Sequence, residues 1–202
     1  MDYNDKYIEL FYMIKNRKYD NFLESLSEID EKTDFIFDIN VRDDQHNYLI
    51  TYAVTLNQIN IVDALIKKGA RIDITNKNDE SILIQTIEYS YFEILELLLQ
   101  TNKKSIGVSI VDIKDKLLRI PLHYAIKIKN IKAIKLLLKY GSNVNVSEGN
   151  GYSSLHLAVR SRSFEICEII IPFVSNINSR YNTGESSLHI ACNLQLTEIV
   201  AL

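Results

Sequence analysis

At 202 residues the chain can form one large domain or two small ones, and 47% hydrophobic with 24% charged residues is the balance of an ordinary globular protein, which excludes a disordered polyelectrolyte. Twenty-three basic side chains against 26 acidic ones give a formal charge of -3, so the chain as a whole has no attraction for phosphate backbones and nucleic acid is not an expected partner. Cys167 and Cys192 are too few for a disulfide-stapled secreted domain, there is no signal peptide, and no apolar run approaches the ~18 residues of a membrane span, so a soluble protein of the reducing cytoplasm is expected.

Only 6 glycines and 2 prolines interrupt the chain, which predicts helices joined by short turns. Over residues 1–40 the apolar positions Ile8, Leu10, Phe11 and Ile14, then Phe22 and Leu26, predict a helix pair. It reads as an N-terminal cap whose outer face is kept polar by Lys6, Lys15 and Arg17, followed by a long acidic connection from Ser27 to Asp38. Next come Leu49-Ile50-Thr51-Tyr52-Ala53 and the helical run Ile61 to Ile66, closed by Gly69. Ser81-Ile82-Leu83-Ile84-Gln85-Thr86 and the run Phe92 to Leu99 follow. Asn102 takes the place of the closing glycine there, asparagine being the next best left-handed residue. About six extra residues near Lys103–Ser109 read as a tolerated loop, because loops lengthen at little entropic cost.

Three near copies complete the chain: Pro121-Leu122-His123-Tyr124-Ala125, Ser154-Leu155-His156-Leu157-Ala158 and Ser187-Leu188-His189-Ile190-Ala191. Their histidines recur every 33 residues, and each copy precedes a second apolar segment: Ile131 to Leu138, Phe164 to Ile171, and Thr197 to Leu202. Serine at the start of a copy can cap the helix, and Pro121 in a first turn sacrifices no hydrogen bond. Gly141 follows a second helix, where a left-handed residue commonly ends it. The last segment stops in mid-helix, so the natural protein is expected to continue past Leu202.

This pattern resembles the ankyrin repeat, Gly-x-Thr-Pro-Leu-His-x-Ala, a second helix, then Gly-Ala-Asp-Val-Asn; Gly69-Ala70-Arg71-Ile72-Asp73 and Gly141-Ser142-Asn143-Val144-Asn145 carry the closing part. The resemblance covers nearly the whole chain and is weakest over roughly the first 35 residues. It implies an all-α solenoid of about six helix-turn-helix units with short β-turn or hairpin connections, a single domain over 1–202. The units fall at about 1–40, 41–74, 75–113, 114–146, 147–179 and 180–202, the last incomplete. No unit buries its own apolar face, so neighbours share one interior, and Leu122, Leu155 and Leu188 are expected at matching places inside it. The resemblance also implies structural roles for Pro121, Gly69, Gly141 and the histidines: His123, His156 and His189 would bond backbone in the turns and tie adjacent units together.

A catalytic or metal centre is not expected. Equivalent histidines on packed helices stand ~8–10 Å apart and cannot share a zinc, whose ligands sit ~2 Å from the ion. Cys167 and Cys192 read as buried small hydrophobes. The phosphate-loop, dinucleotide and nucleophile-elbow patterns are missing, so the chain reads as no enzyme, with no cofactor and no small-molecule substrate. In the family it resembles, partners meet a concave face of turn tips and first helices, which maps here to Lys77, Glu88 and Tyr89, then Lys114, Lys116, Leu117, Arg119, Lys127 and Ile128, then Tyr152, Arg160 and Arg180. Basic residues dominate the later units of that set, with Glu185 opposing them, so a protein with an acidic surface is the expected partner. An adaptor segment of a longer viral or parasite-type protein, recruiting host machinery in the host-cell cytoplasm, is the alternative.

Overall fold

The computed structural model describes residues 3–29, 38–104 and 109–202, so most of the acidic connection after Ser27 and of the insertion near Lys103–Ser109 lies outside the described residues. Twelve α-helices are described, in pairs. They are α1 (Tyr3–Lys15) with α2 (Tyr19–Ser27), α3 (Leu49–Thr55) with α4 (Ile59–Lys67), and α5 (Ile82–Glu88) with α6 (Phe92–Lys104). Then come α7 (Pro121–Lys127) with α8 (Ile131–Lys139), α9 (Ser154–Arg160) with α10 (Phe164–Ile170), and α11 (Ser187–Asn193) with α12 (Thr197–Val200). Strand pairing among the described residues is limited to isolated bridges at the bases of the finger turns that precede first helices, such as Thr75 with Ser81, Ser147 with Ser153 and Arg180 with Ser186.

Two compact units hold these pairs, Met1–Ile74 and Thr75–Leu202. In the first, α1 packs on α2 and α3, and α4 on α2 and α3, over Leu10, Ile14, Phe22, Leu26, Ala53, Val54 and Leu65. In the second, the short helices α5, α7, α9 and α11 stack in sequence, each backed by its partner. Seven-residue helices cannot persist alone in water, so shared apolar burial must hold them. Leu83, Leu122 and Leu155 supply the large side chains, and Ala125, Ala158 and Ala191 the small ones that let neighbours approach; all are buried. Leu188 departs from the expected row: it is 52% exposed, lining a solvent-open pocket beside Leu155 of α9 and Ile199 and Val200 of the short α12.

The helix stops show what the sequence concealed. Each first helix ends in a residue with positive φ: Arg17, Asn57, Ser90, Lys129, Arg162 and Gln195, between 54° and 59°. In the fourth pair the Lys129 N–H donates to the Ile126 carbonyl (3.0 Å) and the Asn130 N–H to that of Ala125 (2.9 Å), the paired reverse bonds of a Schellman stop. Second helices end the same way at Gly69 (φ 86°) and Gly141 (φ 89°). Asn102 does not act as such a stop. It lies within α6, which runs on to Lys104, and its side chain accepts the Ile110 N–H at 3.3 Å.

The cap reading of α1 also changes. Lys6 donates to Ser25 Oγ (2.6 Å), and Lys15 lies 2.7 Å from Asp43 and over the Tyr52 ring, so both are engaged within the first unit. Lys15 and Arg17 are still exposed, but they share the outside of this pair with the exposed apolar side chains Ile8 and Tyr12.

A second series of left-handed residues turns the fingers: His46, Asp79, Leu118, Gly151 and Gly184. A Cβ at Gly151 would lie 3.0 Å from the Asn182 backbone nitrogen and closer still to its side-chain oxygen, so contact as well as φ favours glycine there. Leu118 carries φ 59° and a largely exposed side chain. Holding that region costs a residue with a Cβ about 1–2 kcal/mol; glycine avoids this, a gain partly offset by the greater entropy it loses on folding. Leu118→Gly is therefore expected to stabilise the protein by ~0.5–1 kcal/mol, read as a higher urea midpoint; a lower midpoint would show that Leu118 contributes packing the backbone needs.

Candidate functional site

Successive fingers in the second unit are tied by backbone bonds. Lys116 N–H meets the Asn78 carbonyl (3.4 Å), Gly149 N–H that of Leu117 (2.8 Å), and Asn182 N–H that of Asn150 (3.4 Å). The fourth finger is built on Asp115. Its carboxylate accepts the backbone N–H groups of Leu117 and Arg119 (both 2.8 Å), Arg119 Nε (2.7 Å) and the Tyr124 hydroxyl (2.7 Å), and its side chain is 1% exposed. Burial works against ionisation of Asp115, but bonds from Arg119, Tyr124 and Leu117 outweigh it and hold the acid below the usual range. Burial and then Asp115 push the Tyr124 phenol up, so it stays a neutral donor. In the first unit Asp43 and Tyr52 repeat the arrangement with Lys15 in place of the arginine.

Beside this network a cavity of about 320 Å³ opens between α7 and α9, lined by Arg119, Lys127 and Arg160 together with His123, Tyr124 and Glu148. Three candidates, Arg119, Lys127 and Arg160, thus come together. Arg119 is fixed by Asp115, and the Arg160 guanidinium lies 4.5 Å from the Tyr152 ring centre, with Tyr152 stacked on Tyr181 at 4.2 Å. Lys127 projects with no hydrogen bond or ion pair to any described residue. Lys116 and Arg180 are instead spent on the carbonyls of Lys77 (2.6 Å) and Gly184 (2.8 Å). Leu117, Ile128 and Tyr89 are exposed outside the cavity, Tyr89 stacked on Tyr91 at 5.5 Å, and Lys77, Lys114 and Glu88 lie outside its lining too.

Sequence reasoning missed Asp115 and Glu148, so the basic stripe is less one-signed than expected: an acid neutralises Arg119 and another enters the cavity. The signal for the first was present, since Asp43 precedes Tyr52 by the nine residues that separate Asp115 from Tyr124. The Glu80 carboxylate accepts from Asn76 (2.7 Å) and lies 3.1 Å from the Tyr124 hydroxyl, and so joins the same face.

The histidines sit at the third position of their helices, where a capping glutamate often reaches back. His123 Nδ1 accepts the Ile120 N–H (3.4 Å), which leaves the ring proton on Nε2 to meet the Val146 carbonyl (3.1 Å) at the head of the next unit. His156 Nδ1 receives the Ser153 N–H (3.2 Å) and lies 2.7 Å from its hydroxyl. The Ser179 carbonyl is close enough to influence the ring, but His156 Nε2 is buried with no hydrogen-bond partner. His189 makes the local contact to Ser186 and is exposed. Cys167 is buried, and burial pushes its thiol up to about 11; Cys192 is exposed, contrary to expectation, and both are free. Among the described residues no three His, Cys, Asp or Glu side chains are grouped to hold a metal, and no helix is long and apolar enough to cross a membrane.

The family model described as ankyrin repeats (3 copies) matches residues 10–112, 106–181 and 122–202. The chain is an ankyrin-repeat protein. An ankyrin repeat protein of Acanthamoeba polyphaga mimivirus is 35% identical over 147 residues, covering 73% of this chain and 19% of its own length. Alpha-latrotoxin-Lg1a of Latrodectus geometricus is 28% identical over 106 residues, 52% of this chain and 8% of the toxin. An ankyrin repeat protein of Fowlpox virus is 31% identical over 116 residues, 57% of this chain and 26% of the viral protein. The chain thus spans a small part of the relatives it matches. Ankyrin repeats generally mediate binding between proteins and are generally not catalysts.

Proposed function

We propose that this ankyrin-repeat chain is a non-catalytic module that binds an acidic group of a partner protein on the face made by its finger turns and first helices. The observation that carries the reading is the convergence of Arg119, Lys127 and Arg160 on one cavity, with Glu148 as the acid among its lining residues. A partner carboxylate entering a partly desolvated pocket gains more from these cations than it would on an open surface. Exposed Tyr89 and Ile128 offer the aromatic and apolar contacts that dominate interface energy. The free thiols of Cys167 and Cys192 fit a reducing compartment such as the cytoplasm. The greater length of the viral relatives supports a second reading, an adaptor segment that carries this face within a larger protein.

The test compares proteins captured by the wild-type chain with those captured by a Lys127→Glu/Arg160→Glu double variant. Both positions are exposed, so the variant should melt as the wild type does. Partners should be lost or weakened at least about tenfold, since reversal replaces attraction by repulsion. Unchanged capture would remove the reading, and retention of DNA or RNA at low salt would redirect it to nucleic acid.

A further inference from the structure

The cationic cavity has an acidic neighbour. Glu88, at the end of α5, occupies in the third repeat the position that Lys127 and Arg160 occupy in the fourth and fifth, by the same spacing that relates the starts of α5, α7 and α9. Glu80 stands in the place of Arg119 in the same way. The face therefore reverses sign between adjacent repeats: two carboxylates, then a cavity whose lining includes Lys127, Arg160, Glu148 and an Arg119 already paired to Asp115. Glu80 is partly satisfied by Asn76 and the nearby Tyr124 hydroxyl, whereas the Glu88 carboxylate has no hydrogen bond or ion pair to any described residue. Burial, then repulsion from Glu80, raises the Glu88 pKa, although Arg119 and Lys127 lower it; its charge lacks full compensation within the chain.

We infer that the partner segment is bipolar rather than uniformly acidic: an extended stretch of polypeptide with a carboxylate side chain for the cavity between α7 and α9, and a lysine or arginine about four residues away for Glu88. The inference rests on the proposed docking face and adds the charge pattern that would make it selective. The spacing follows from two lengths. Packed helices stand roughly 8–10 Å apart, and an extended chain advances about 3.3 Å per residue. From Glu88 to a cavity midway between the next two first helices is one and a half repeats, ~12–15 Å, or about four residues. A wholly acidic partner would meet Glu88 with like charge, and a wholly basic one would meet the cavity in the same way, so the reversal excludes both.

Selection of a displayed library of random 12-residue peptides on the purified chain at low salt tests this, repeated on Glu88→Lys and on the Lys127→Glu/Arg160→Glu double variant. Enriched peptides should carry an acid and a base three to five residues apart in one order along the chain. Glu88→Lys should weaken a selected peptide about fivefold in fluorescence anisotropy, and changing that peptide's basic residue to glutamate should restore binding to the variant. The effect should shrink as salt rises. Peptides that are acidic throughout, or affinities indifferent to Glu88→Lys but sensitive to the double variant, would overturn the bipolar pattern and leave the docking face standing. Enrichment indifferent to both variants, or no enrichment at all, would remove both.

Discussion

Asp115→Ala is expected to cost about 3–5 kcal/mol of folding stability, the largest loss of any single change considered for this protein. The carboxylate is nearly inaccessible and serves four donors at once: two backbone N–H groups that shape the fourth finger, the Arg119 guanidinium and the Tyr124 hydroxyl. Removing it leaves a half-buried guanidinium and a buried hydroxyl without their acceptor, and an unpartnered buried charge costs more than a missing bond. A protein of this size has roughly 5–15 kcal/mol to lose, so the variant should melt far earlier or fail to accumulate. Tyr124→Phe removes one donor and leaves the charge pair, and should cost only ~1 kcal/mol. Urea denaturation of the two variants checks the ranking. Equal and small losses would show that solvent reaches Asp115 and that the finger is held by its backbone alone.

The same network shows how far the sequence could be read. Helix pairs at 33-residue spacing were legible because Leu122, Ala125, Leu155 and Ala158 are buried by neighbours of their own kind, and periodicity records that. Leu188 and Cys192 carry the same local pattern, yet both are exposed, a difference in their tertiary surroundings that no local pattern reports. Charged residues were misread for a related reason. Lys6, Lys15 and Arg119 were counted as surface cations, but long basic side chains fold back along apolar surface to reach acids such as Asp43 and Asp115. The turns misled in the opposite direction: Lys129, Arg162 and Leu118 hold left-handed conformations that propensity assigns to glycine or asparagine, because the packed helices on either side fix the chain there. For the binding face, the cations that meet at the cavity were visible as a set, but the acids that limit them were not.

Acid should weaken the fold in two steps, the upper one set by His123. Burial first of all, against an opposing bond to the Val146 carbonyl, lowers the His123 pKa from its ordinary 6.5 to about 4. The geometry agrees, because a proton added at Nδ1 would point at the Ile120 N–H that this nitrogen now accepts. Between pH 6.5 and 4 the unfolded chain therefore binds a proton that the folded chain refuses. The stability this supports is complete above 6.5 and is lost as pH falls, the loss reaching on the order of 3 kcal/mol by pH 4. His156, lowered chiefly by burial, adds to the same slope. The lower step belongs to the finger carboxylates. For Asp43, burial raises the pKa, but bonds from Lys15, Tyr52, Asn47 and Gln45 together bring it to about 2, so its contribution persists down to about pH 4 and is lost from there to about 2. Wild-type stability by urea denaturation should fall by about 2 kcal/mol or more from pH 7.5 to 5.0. His123→Gln should be less stable than wild type at pH 7.5, yet should lose about 2 kcal/mol less over that interval, because an amide takes up no proton there. An identical slope in the variant would mean that His123 titrates near its ordinary value and that the tie to Val146 does not exclude water.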